Sequence, residues 1–429
     1  MIYPLKEGIS ITEDTREVNE STYFLKTAQN SKYIKSLPKN TTIITPKELI
    51  NLWNLKDLKV IGITGTNGKT TTAAIIYSLL TDLEEKAALQ GTRGFFVNDR
   101  RIEDKSLTTP SILQTLYNMK VALDNDAKYF VMEVSSHAIV QNRIEDIEFA
   151  LKIFTNVTQD HLDYHKSIAE YRKVKSQFFM DETLKLINKD EAKKIVFNPS
   201  KAYTYSLDEP STFKVEAFSL SGGIKAAINH LGDMATFESN LVGLFNVYNL
   251  AAAISAVKLL TSYSLQKICD EVINFGGVSG RMEVVSHNPA VIVDFAHTPD
   301  GMIKVLESIK DRDIAVVFGA GGDRDRDKRA KMGLATAKYA KKIYVTSDNP
   351  RSEDPKLIIE DIVAPLKGKD GVETIVDRKE AIYKAIKELN DNEVLLILGK
   401  GDENYIEIGQ EKIPFDDRKI AKEAIEKYY

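Results

Sequence analysis

Runs of hydrophobic residues separated by polar and glycine-rich stretches recur along most of the chain. Lys59–Ile63 has the pattern of a buried β-strand, and the apolar spacing of Thr70–Leu80, which follows a glycine-rich turn, predicts a helix. The other strands and helices predicted in this region are Tyr129–Val134, Ile153–Asn156, Ser167–Met180 and Leu250–Leu260. Strands that alternate with helices favour a parallel sheet with helices on its faces.

A second alternating series begins near Ala290. It predicts strands at Val291–Phe295, Ile314–Phe318, Ile343–Thr346 and Val394–Leu398, separated by helical stretches. This order favours a doubly wound, Rossmann-like sheet. The glycine-dense segment Gly276–Gly280 predicts a hinge between the two series.

The first fifty residues carry only short alternating stretches such as Thr22–Lys26. We therefore predict an α/β protein with a small, shortened α/β N-terminal domain over residues 1–50. A central domain with a parallel sheet then spans 51–282, and a Rossmann-like C-terminal domain spans 283–429. A length of 429 residues agrees with three domains at roughly 150 residues each.

Composition limits the classes of partner. The chain has 43% hydrophobic and 28% charged residues, which excludes collagen, a coiled coil and wholesale disorder. Its 58 basic and 62 acidic residues give a net charge of −4, so no overall field attracts nucleic acid or an anionic membrane. The single cysteine, Cys269, fits a reducing compartment, and Met1–Asp14 lacks a basic region followed by an apolar run. We expect a soluble cytoplasmic protein.

The turn after the first predicted strand of the central domain has the chemistry of a phosphate-binding loop. Its backbone N–H groups and the following helix N-terminus suit a polyphosphate, Lys69 would neutralise charge, and the Thr70 hydroxyl could bind Mg²⁺. Ile63 stands where the general pattern has its first glycine. Nucleotide binding is nevertheless favoured over a plain glycine-rich turn. The predicted ATP-binding residues are Gly65, Thr66, Asn67, Gly68, Lys69, Thr70 and Thr71.

Two further sequence features concern the metal ion and the base of the nucleotide. Glu133 ends the strand predicted at Tyr129–Val134, where a P-loop protein places a Mg²⁺ ligand; taken alone, it is equally well a surface residue. Asn188–Glu191 is similar to a guanine-reading motif, but Glu191 replaces the required aspartate. Guanine specificity is therefore disfavoured.

A histidine-rich stretch, Asp160–His165, precedes Lys175 by ten residues. His161 and His165 have the spacing of two Zn²⁺ ligands on a helix, but no general-base glutamate lies between them as in the metalloprotease signature. Zinc is therefore disfavoured.

Together these stretches resemble the Mur ligases. The resemblance rests on the phosphate loop, Glu133–His137, Asp160–His165 and Lys175. Thr108-Thr109-Pro110, Asp348-Asn349-Pro350-Arg351 and Gly399-Lys400-Gly401 are similar to the members that add diaminopimelate. The resemblance implies an ATP-dependent ligase of peptidoglycan precursor synthesis. ATP would phosphorylate the D-Glu γ-carboxylate of UDP-N-acetylmuramoyl-L-Ala-D-Glu, and an amine of meso-diaminopimelate would then attack the acyl phosphate.

The resemblance also implies residue roles. Lys69, His161 and Lys175 would be catalytic; Thr70 and Glu133 would serve one Mg²⁺ ion, and His161 and Lys175 a second. Lys175 would serve as a carbamate, because a protonated lysine repels a cation. The alternative is that Lys175 is an ordinary surface lysine. Lys173 lies two residues away on the same predicted helix, and only the helical register separates the two.

Further roles concern the substrates. The residues implied for the UDP-sugar peptide are Thr108, Thr109, Ser135, Gln141 and Arg143, and those for the adenosine side of ATP are Asn249, Arg281 and Asp294. The implied diaminopimelate residues are Arg324, Asp348, Asn349, Pro350, Arg351, Gly399 and Glu403. A planar guanidinium binds a carboxylate with two parallel hydrogen bonds, whereas lysine, which lacks the distal carboxylate, would leave Arg351 unpaired. Taken singly, the Asp348–Arg351 motif is also a proline turn, and Arg324–Arg329 a solvated charge run.

The sequence departs from the family pattern in two places, and two other functions are alternatives to the ligase. Asp402 stands where the family usually has histidine. Asp14-Thr15-Arg16 resembles the family's Asp-Ser-Arg, but little else of the uridine-binding domain is recognisable. A folylpolyglutamate synthase shares the ATP machinery but is disfavoured by the Thr-Thr-Pro and Asp-Asn-Pro-Arg stretches. A nucleotide-gated binding protein would need no second metal site. We expect a monomer that binds only small molecules.

Overall fold

The computed structural model describes residues 1–104, 107–160 and 162–429, so His161 lies outside the described residues. The N-terminal part is a four-stranded sheet in the order β1-β2-β3-β4, with β1 and β2 antiparallel and the other pairs parallel. Its strands are β1 Ile2–Lys6, β2 Ile9–Thr12, β3 Thr22–Leu25 and β4 Ile43–Ile44. Helix α1, Pro46–Leu52, follows and crosses the predicted boundary at residue 50.

Apolar residues of this small sheet share a core with the central sheet. Leu5, Leu25 and Trp53 belong to the same buried cluster as Phe130 of the large central sheet. Tyr3 also stacks on Tyr117 with ring centroids 4.3 Å apart. The N-terminal part is therefore fixed against the central part by apolar packing.

The central sheet has eleven strands among the described residues, in the order β15-β14-β13-β12-β11-β10-β5-β9-β6-β7-β8. Every pairing from β13 to β6 is parallel, as predicted, and hairpins add antiparallel strands at both edges of the sheet. The strands are β5 Lys59–Thr64, β6 Ala87–Gly91, β7 Gly94–Val97, β8 Arg100–Glu103, β9 Tyr129–Glu133, β10 Phe149–Phe154, β11 Lys185–Asn188, β12 Ala202–Ser206, β13 Phe213–Ser219, β14 Ile224–His230 and β15 Asp233–Ser239.

Helices cover both faces of this sheet. They are α2 Lys69–Asp82, α3 Ile112–Asp124, α4 Ser136–Val140, α5 Leu162–His165, α6 Ile168–Gln177, α7 Leu244–Leu260 and α8 Leu265–Asp270. Helix α7 packs on α2 through fully buried alanines such as Ala252 and Ala256, whose small side chains allow close approach. It begins at Leu244, six residues before the predicted start at Leu250, and its first two turns place the buried Asn246 and Asn249 among apolar residues.

The C-terminal sheet has the order β16-β17-β21-β18-β19-β20 and is parallel except for β16. Its strands are β16 Glu283–His287, β17 Ala290–Asp294, β18 Asp313–Phe318, β19 Lys342–Val345, β20 Val372–Thr374 and β21 Glu393–Leu398, followed by a separate hairpin of β22 Tyr405–Ile408 and β23 Glu411–Pro414. Its helices are α9 Pro299–Glu307, α10 Asp327–Tyr339, α11 Pro355–Val363, α12 Arg378–Lys387 and α13 Asp417–Tyr428. An apolar cluster lies on each face of the sheet, as expected for a doubly wound fold. The predicted α/β class is confirmed.

Short 3₁₀ helices join several of these elements: Thr15–Glu17, Ser31–Ser36, Leu55–Asp57, Lys189–Lys194, Glu271–Asn274 and Ala364–Leu366. The segment between the central and C-terminal sheets contains Gly277 at φ +99° and Gly280 at φ +69°. A Cβ on Gly280 would lie 2.1 Å from the backbone nitrogen of Asp402, so only glycine fits this contact. Within the described ranges, no helix is both long enough and apolar enough to cross a membrane.

Candidate active site

The phosphate loop lies between the end of β5 at Thr64 and the start of α2 at Lys69. Gly68 has φ +87°, and a Cβ there would lie 2.5 Å from Oδ1 of Asn249. A Cβ on Gly65 would lie 1.9 Å from Oγ1 of Thr155. Both glycines are therefore required by the close approach of neighbouring side chains.

The loop is fixed by residues that sequence reasoning missed. Asn156 accepts from the Asn67 backbone nitrogen at 3.0 Å through Oδ1 and donates to the Asn67 carbonyl at 3.0 Å through Nδ2. Thr155 Oγ1 donates to the same carbonyl at 2.7 Å. Both residues follow β10 directly. The signal that could have found them is their position at the carboxyl end of a strand adjacent to β5.

Lys69 lies over its own loop. Its Nζ donates to the carbonyls of Gly65 and Thr66, each at 2.9 Å. Burial lowers the pKa of the Lys69 amine. The ammonium group therefore stands among the backbone groups predicted to surround phosphate.

Thr70 and Glu133 meet as the sequence predicts. Thr70 Oγ1 donates to Glu133 Oε2 at 2.9 Å, and the Thr92 backbone nitrogen donates to Glu133 Oε1 at 2.8 Å. Glu133 is only 2% exposed, which rules out the surface alternative. A Cβ on Gly91 would lie 2.2 Å from Glu133 Oε1, so the missing side chain makes room for the carboxylate.

Lys175 is buried, whereas Lys173 is exposed, so the helical register separates the two. Lys175 Nζ donates to the Gly65 carbonyl at 2.9 Å and to Thr64 Oγ1 at 3.3 Å. Burial, reinforced by the neighbouring Lys69, lowers the pKa of Lys175 well below its usual value. Helix α6 therefore directs a weakly basic amine at the start of the phosphate loop.

The predicted sugar-peptide residues form a connected set beside Glu133. Thr108 Oγ1 lies 3.1 Å from Thr92 Oγ1, and Thr109 Oγ1 donates to the Glu133 carbonyl at 2.9 Å. The Ser135 backbone nitrogen donates to Thr109 Oγ1 at 3.0 Å. The loop before α3 is thus joined to the end of β9.

Arg143 and Gln141 extend this set towards the N-terminal sheet. Arg143 Nη1 donates to the Thr109 carbonyl at 2.8 Å, and Nη2 donates to Gln141 Oε1 at 2.6 Å. Gln29 Nε2 donates to the Gln141 carbonyl at 3.0 Å. The five residues predicted to hold the sugar peptide therefore lie in one connected region next to the phosphate loop.

A cavity of about 1300 Å³ lies between the central and C-terminal sheets. It is lined by the phosphate loop, by Thr108 and Glu133, and by the three predicted adenosine residues, Asn249, Arg281 and Asp294. Asp294 already accepts from the Met282 and Ala296 backbone nitrogens, each at 2.7 Å, and burial raises its pKa. Asp294 therefore stabilises the link between the sheets.

The stretch similar to a guanine-reading motif has a structural role. Asp190 accepts from the backbone nitrogens of Leu207 and Glu209, each at 2.8 Å, and from the Tyr248 hydroxyl at 2.9 Å. These bonds anchor the turn between β12 and β13. Asp190 is thus occupied by backbone donors.

The C-terminal domain contacts the phosphate loop directly. Asn67 Nδ2 donates to Asp300 Oδ2 at 3.1 Å, and Lys304 Nζ lies 3.0 Å from the same oxygen. His297, which also lines the cavity, donates from Nδ1 to the Phe295 carbonyl at 2.8 Å. The sequence motifs did not single out Asp300, Lys304 or His297, although all three lie within ten residues after the carboxyl end of β17.

Three of the predicted diaminopimelate residues, Asp348, Asn349 and Glu403, contact a buried lysine. Lys400 is fully buried, and its Nζ donates to Asn349 Oδ1 and Glu403 Oε2, each at 3.0 Å. Asn349 Nδ2 donates to Glu403 Oε2 at 3.0 Å. Burial would raise the pKa of Asp348, but Lys400 and further donors hold it below its usual value. Gly399 fits because a Cβ there would lie 2.6 Å from Asp348 Oδ2.

Arg351 lies at the edge of this pocket with φ +51°, and its Nη1 donates to the Gly322 carbonyl at 2.8 Å. A Cβ built on Gly321 would lie 3.0 Å from Arg351 Nη1 and 3.8 Å from Arg324 Cγ, so the two arginines flank this glycine. A Cβ on Gly322 would lie 1.9 Å from the Pro350 carbonyl oxygen. Arg324 is exposed.

The charge run that begins at Arg324 is only partly solvated. Arg329 is fully buried and donates to Glu353 at 2.7 Å and to Asp361 at 2.9 Å. The run therefore also carries a structural ion-pair cluster.

A sequence profile of the Mur ligase middle domain matches residues 63–257, and a profile of the Mur ligase glutamate ligase domain matches residues 280–401. The chain belongs to the Mur ligase family. The two matches cover the phosphate loop, Glu133, Lys175 and the Asp348–Arg351 motif.

Individual relatives of this Mur ligase are similar over almost its whole length. It is 52% identical to a UDP-N-acetylmuramoyl-L-alanyl-D-glutamate–2,6-diaminopimelate ligase of Wolinella succinogenes, over 97% of this chain and 96% of the relative. A Helicobacter hepaticus protein of the same name is 48% identical over 97% of this chain and 91% of its own.

Solved structures agree with this family. A structure of a 2,6-diaminopimelate ligase of the same name superposes with a TM-score of 0.69 at 29% identity, over 97% of this chain and 94% of its own. A Mycobacterium tuberculosis folylpolyglutamate synthase gives 0.68 at 18% identity, over 82% and 91% of the two chains. At that identity the second likeness shows a common fold alone.

Proposed function

We propose that this Mur ligase joins meso-diaminopimelate to the D-Glu γ-carboxylate of UDP-N-acetylmuramoyl-L-Ala-D-Glu, releasing ADP and phosphate, in peptidoglycan precursor synthesis. The observation that carries the proposal is the shared cavity, which is lined by the phosphate loop, by Thr108 of the sugar-peptide set and by residues of the C-terminal domain. ATP and the acceptor would therefore meet in one place. The names of the relatives support diaminopimelate as the incoming amino acid.

The first step transfers a phosphoryl group between two anions, so the site must supply positive charge. Lys69 and the N-terminus of α2 would hold the phosphates of ATP. Thr70 and Glu133 offer a hydroxyl and a buried carboxylate 2.9 Å apart, which are oxygen ligands of the kind that Mg²⁺ prefers. Bound Mg²⁺ would neutralise phosphate charge and bring the two anions together.

We assign a second ion to His161 and to Lys175 in carbamylated form. The neutral Lys175 amine would attack CO₂ and lose a proton, giving an anionic carbamate that offers oxygen ligands. The burial of Lys175 beside Lys69 supports this assignment, because it favours the neutral, nucleophilic amine. A ¹³C NMR spectrum of active enzyme under ¹³CO₂ should show a carbamate resonance that K175R lacks. Active enzyme with an unmodified Lys175 would contradict the assignment.

In the second step the diaminopimelate amine would attack the carbonyl carbon of the acyl phosphate. The C–O bond to phosphate breaks, an amide forms, and the nitrogen loses a proton. Thr108, Thr109, Ser135, Gln141 and Arg143 would hold the sugar peptide so that its γ-carboxylate faces ATP. Their hydroxyl, amide and guanidinium groups suit sugar oxygens and carboxylates.

Arg351 would select diaminopimelate over lysine by binding the distal carboxylate. Lysine would leave the guanidinium without that partner. Arg351→Ala should therefore lower kcat/KM for diaminopimelate by about a hundredfold or more while the KM for ATP changes little. Unchanged turnover of diaminopimelate in R351A would contradict this specificity.

The whole proposal is tested by ADP release with UDP-N-acetylmuramoyl-L-Ala-D-Glu as acceptor. Diaminopimelate should stimulate release far more than lysine or no amino acid. ADP release that depends on neither the acceptor nor the amino acid would favour a nucleotide-gated protein. Release that needs a folate and glutamate would favour a folylpolyglutamate synthase.

We also propose that the enzyme acts as a cytoplasmic monomer with small-molecule substrates. The net charge of −4 supports the restriction to small-molecule partners, because it gives no general attraction to nucleic acid or to an anionic membrane. Light scattering after size exclusion should give a mass near 48.1 kDa. A mass twice as large at assay concentration would contradict the monomer.

A further inference from the structure

The strand β22 runs directly beside the Asn349–Arg351 motif. The Glu407 backbone nitrogen donates to Asn349 Oδ1 at 2.9 Å, and the Arg351 backbone nitrogen donates to the Glu407 carbonyl at 3.1 Å. The Gly409 backbone nitrogen donates to the Arg351 carbonyl at 2.8 Å. The backbone of Arg351 is thus held in its left-handed conformation by this strand.

The Glu407 side chain holds the guanidinium as well. Its Oε2 lies 3.0 Å from Arg351 Nε, while Arg351 Nη1 donates to the Gly322 carbonyl. A guanidinium has five N–H donors. The hydrogen bond to Gly322 uses one hydrogen of Nη1 and leaves its second, and Nη2 keeps both of its hydrogens. None of the described residues accepts a hydrogen bond from Arg351 Nη2. One donor on each terminal nitrogen is what a bidentate contact with a carboxylate requires.

This ion pair contributes little to stability. The side chains of Arg351 and Glu407 are 22% and 28% exposed. Partly exposed pairs stabilise a fold only weakly, because solvent screens them and ordering two long side chains costs entropy. The role of the ion pair is therefore to orient the Arg351 guanidinium rather than to stabilise the fold.

We propose that Glu407 is a positioning residue that fixes the Arg351 guanidinium for the distal carboxylate of diaminopimelate. The inference rests on the proposed function, and it adds a residue that none of the sequence motifs contained. Glu403 cannot take this role, because its carboxylate is engaged by Lys400 and Asn349. Without Glu407 the arginine side chain would have to be ordered by the substrate at the cost of affinity.

The test compares E407A, E407Q, R351A and the double variant R351A/E407A in the ADP-release assay. E407A should raise the KM for diaminopimelate about tenfold, with kcat and the KM for ATP within about twofold of the native values. E407Q keeps an oxygen near Nε but loses the charge of the ion pair, so its KM for diaminopimelate should lie between those of native and E407A. On the R351A background, adding E407A should change kcat/KM by less than about twofold.

Glu411 supplies the matched control, since it lies on the partner strand β23, is exposed, and has no described bond to Arg351. E411A removes the same charge from the same hairpin and should behave as native. Additive losses in the double variant, or an equal rise in the KM for ATP, would overturn the positioning role. Native enzyme without diaminopimelate-dependent ADP release would instead overturn the proposed function itself.

Discussion

A buried ion pair joins two segments of the proposed diaminopimelate pocket, and breaking it should destabilise the C-terminal domain strongly. Arg378 and Asp417 are both fully buried and share two hydrogen bonds, at 2.8 and 2.7 Å. Arg378 also donates to the carbonyls of Ser347 at 3.2 Å and Leu398 at 2.9 Å. These carbonyls immediately precede Asp348 and Gly399, so the pair fixes the backbone at both places.

Asp417→Ala would leave the Arg378 charge buried with only carbonyl partners. Burial disfavours that charge, and Asp417 is the main group that offsets it. Removing one partner of a buried pair costs about 3–5 kcal/mol, which corresponds to a fall in Tm of roughly 6–20 °C for a domain of 150–250 residues. Differential scanning calorimetry of the whole chain measures this change.

Glu423→Ala is the control, because Glu423 lies on the same helix α13 and pairs with Lys379 on α12, with both side chains 53% exposed. Its loss should cost at most about 1 kcal/mol. If D417A unfolded within about 2 °C of native, the buried pair would contribute no more than the exposed one, and the reasoning would be refuted.

Three further changes test the phosphate loop and an ion pair. Thr70→Val removes the hydroxyl that contacts Glu133 and should lower kcat at least tenfold in the ADP-release assay, with the thermal midpoint retained. Gly68→Ala, at φ +87° and with a facing amide oxygen 2.5 Å from the new Cβ, should weaken ATP binding in calorimetry. The hydrogen bond from Arg329 lowers the pKa of Glu353 from 4.5 to about 2. The ionised Glu353 therefore stabilises the folded protein fully above pH 4.5, and this stabilisation is lost as the pH falls through 2. E353Q should therefore melt below native at neutral pH, and the two curves should converge near pH 2.

The strands that are buried on both faces could be predicted from sequence, and the exposed ones could not. Val394–Leu398 is apolar at every position, and the strand differs from the prediction by one residue, Glu393. Ile224–His230 and Asp233–Ser239 instead alternate between buried and exposed positions. Such strands give no continuous apolar run, so the antiparallel edge of the central sheet was missed.

Local motifs identified most of the candidate site, whereas contacts between distant segments did not show in the sequence. Asn156 and Asp300 reach Asn67 across 89 and 233 residues, and no local pattern encodes such pairs. The sequence also left Lys173 and Lys175 as alternatives, since both lie on α6. Packing decides between them, because only Lys175 faces the sheet, where its amine meets the Gly65 carbonyl.

The placement of the site follows from the arrangement of the two sheets. Glu133 ends β9, Thr155 follows β10, and Asp294 ends β17, so each sheet presents the carboxyl ends of its parallel strands to the common cavity. The hydrogen bond from Asn67 to Asp300 joins the domains at the phosphate loop itself. A residue of the loop that would surround ATP is therefore also a contact with the C-terminal domain, so the proposed nucleotide site is built from both sheets.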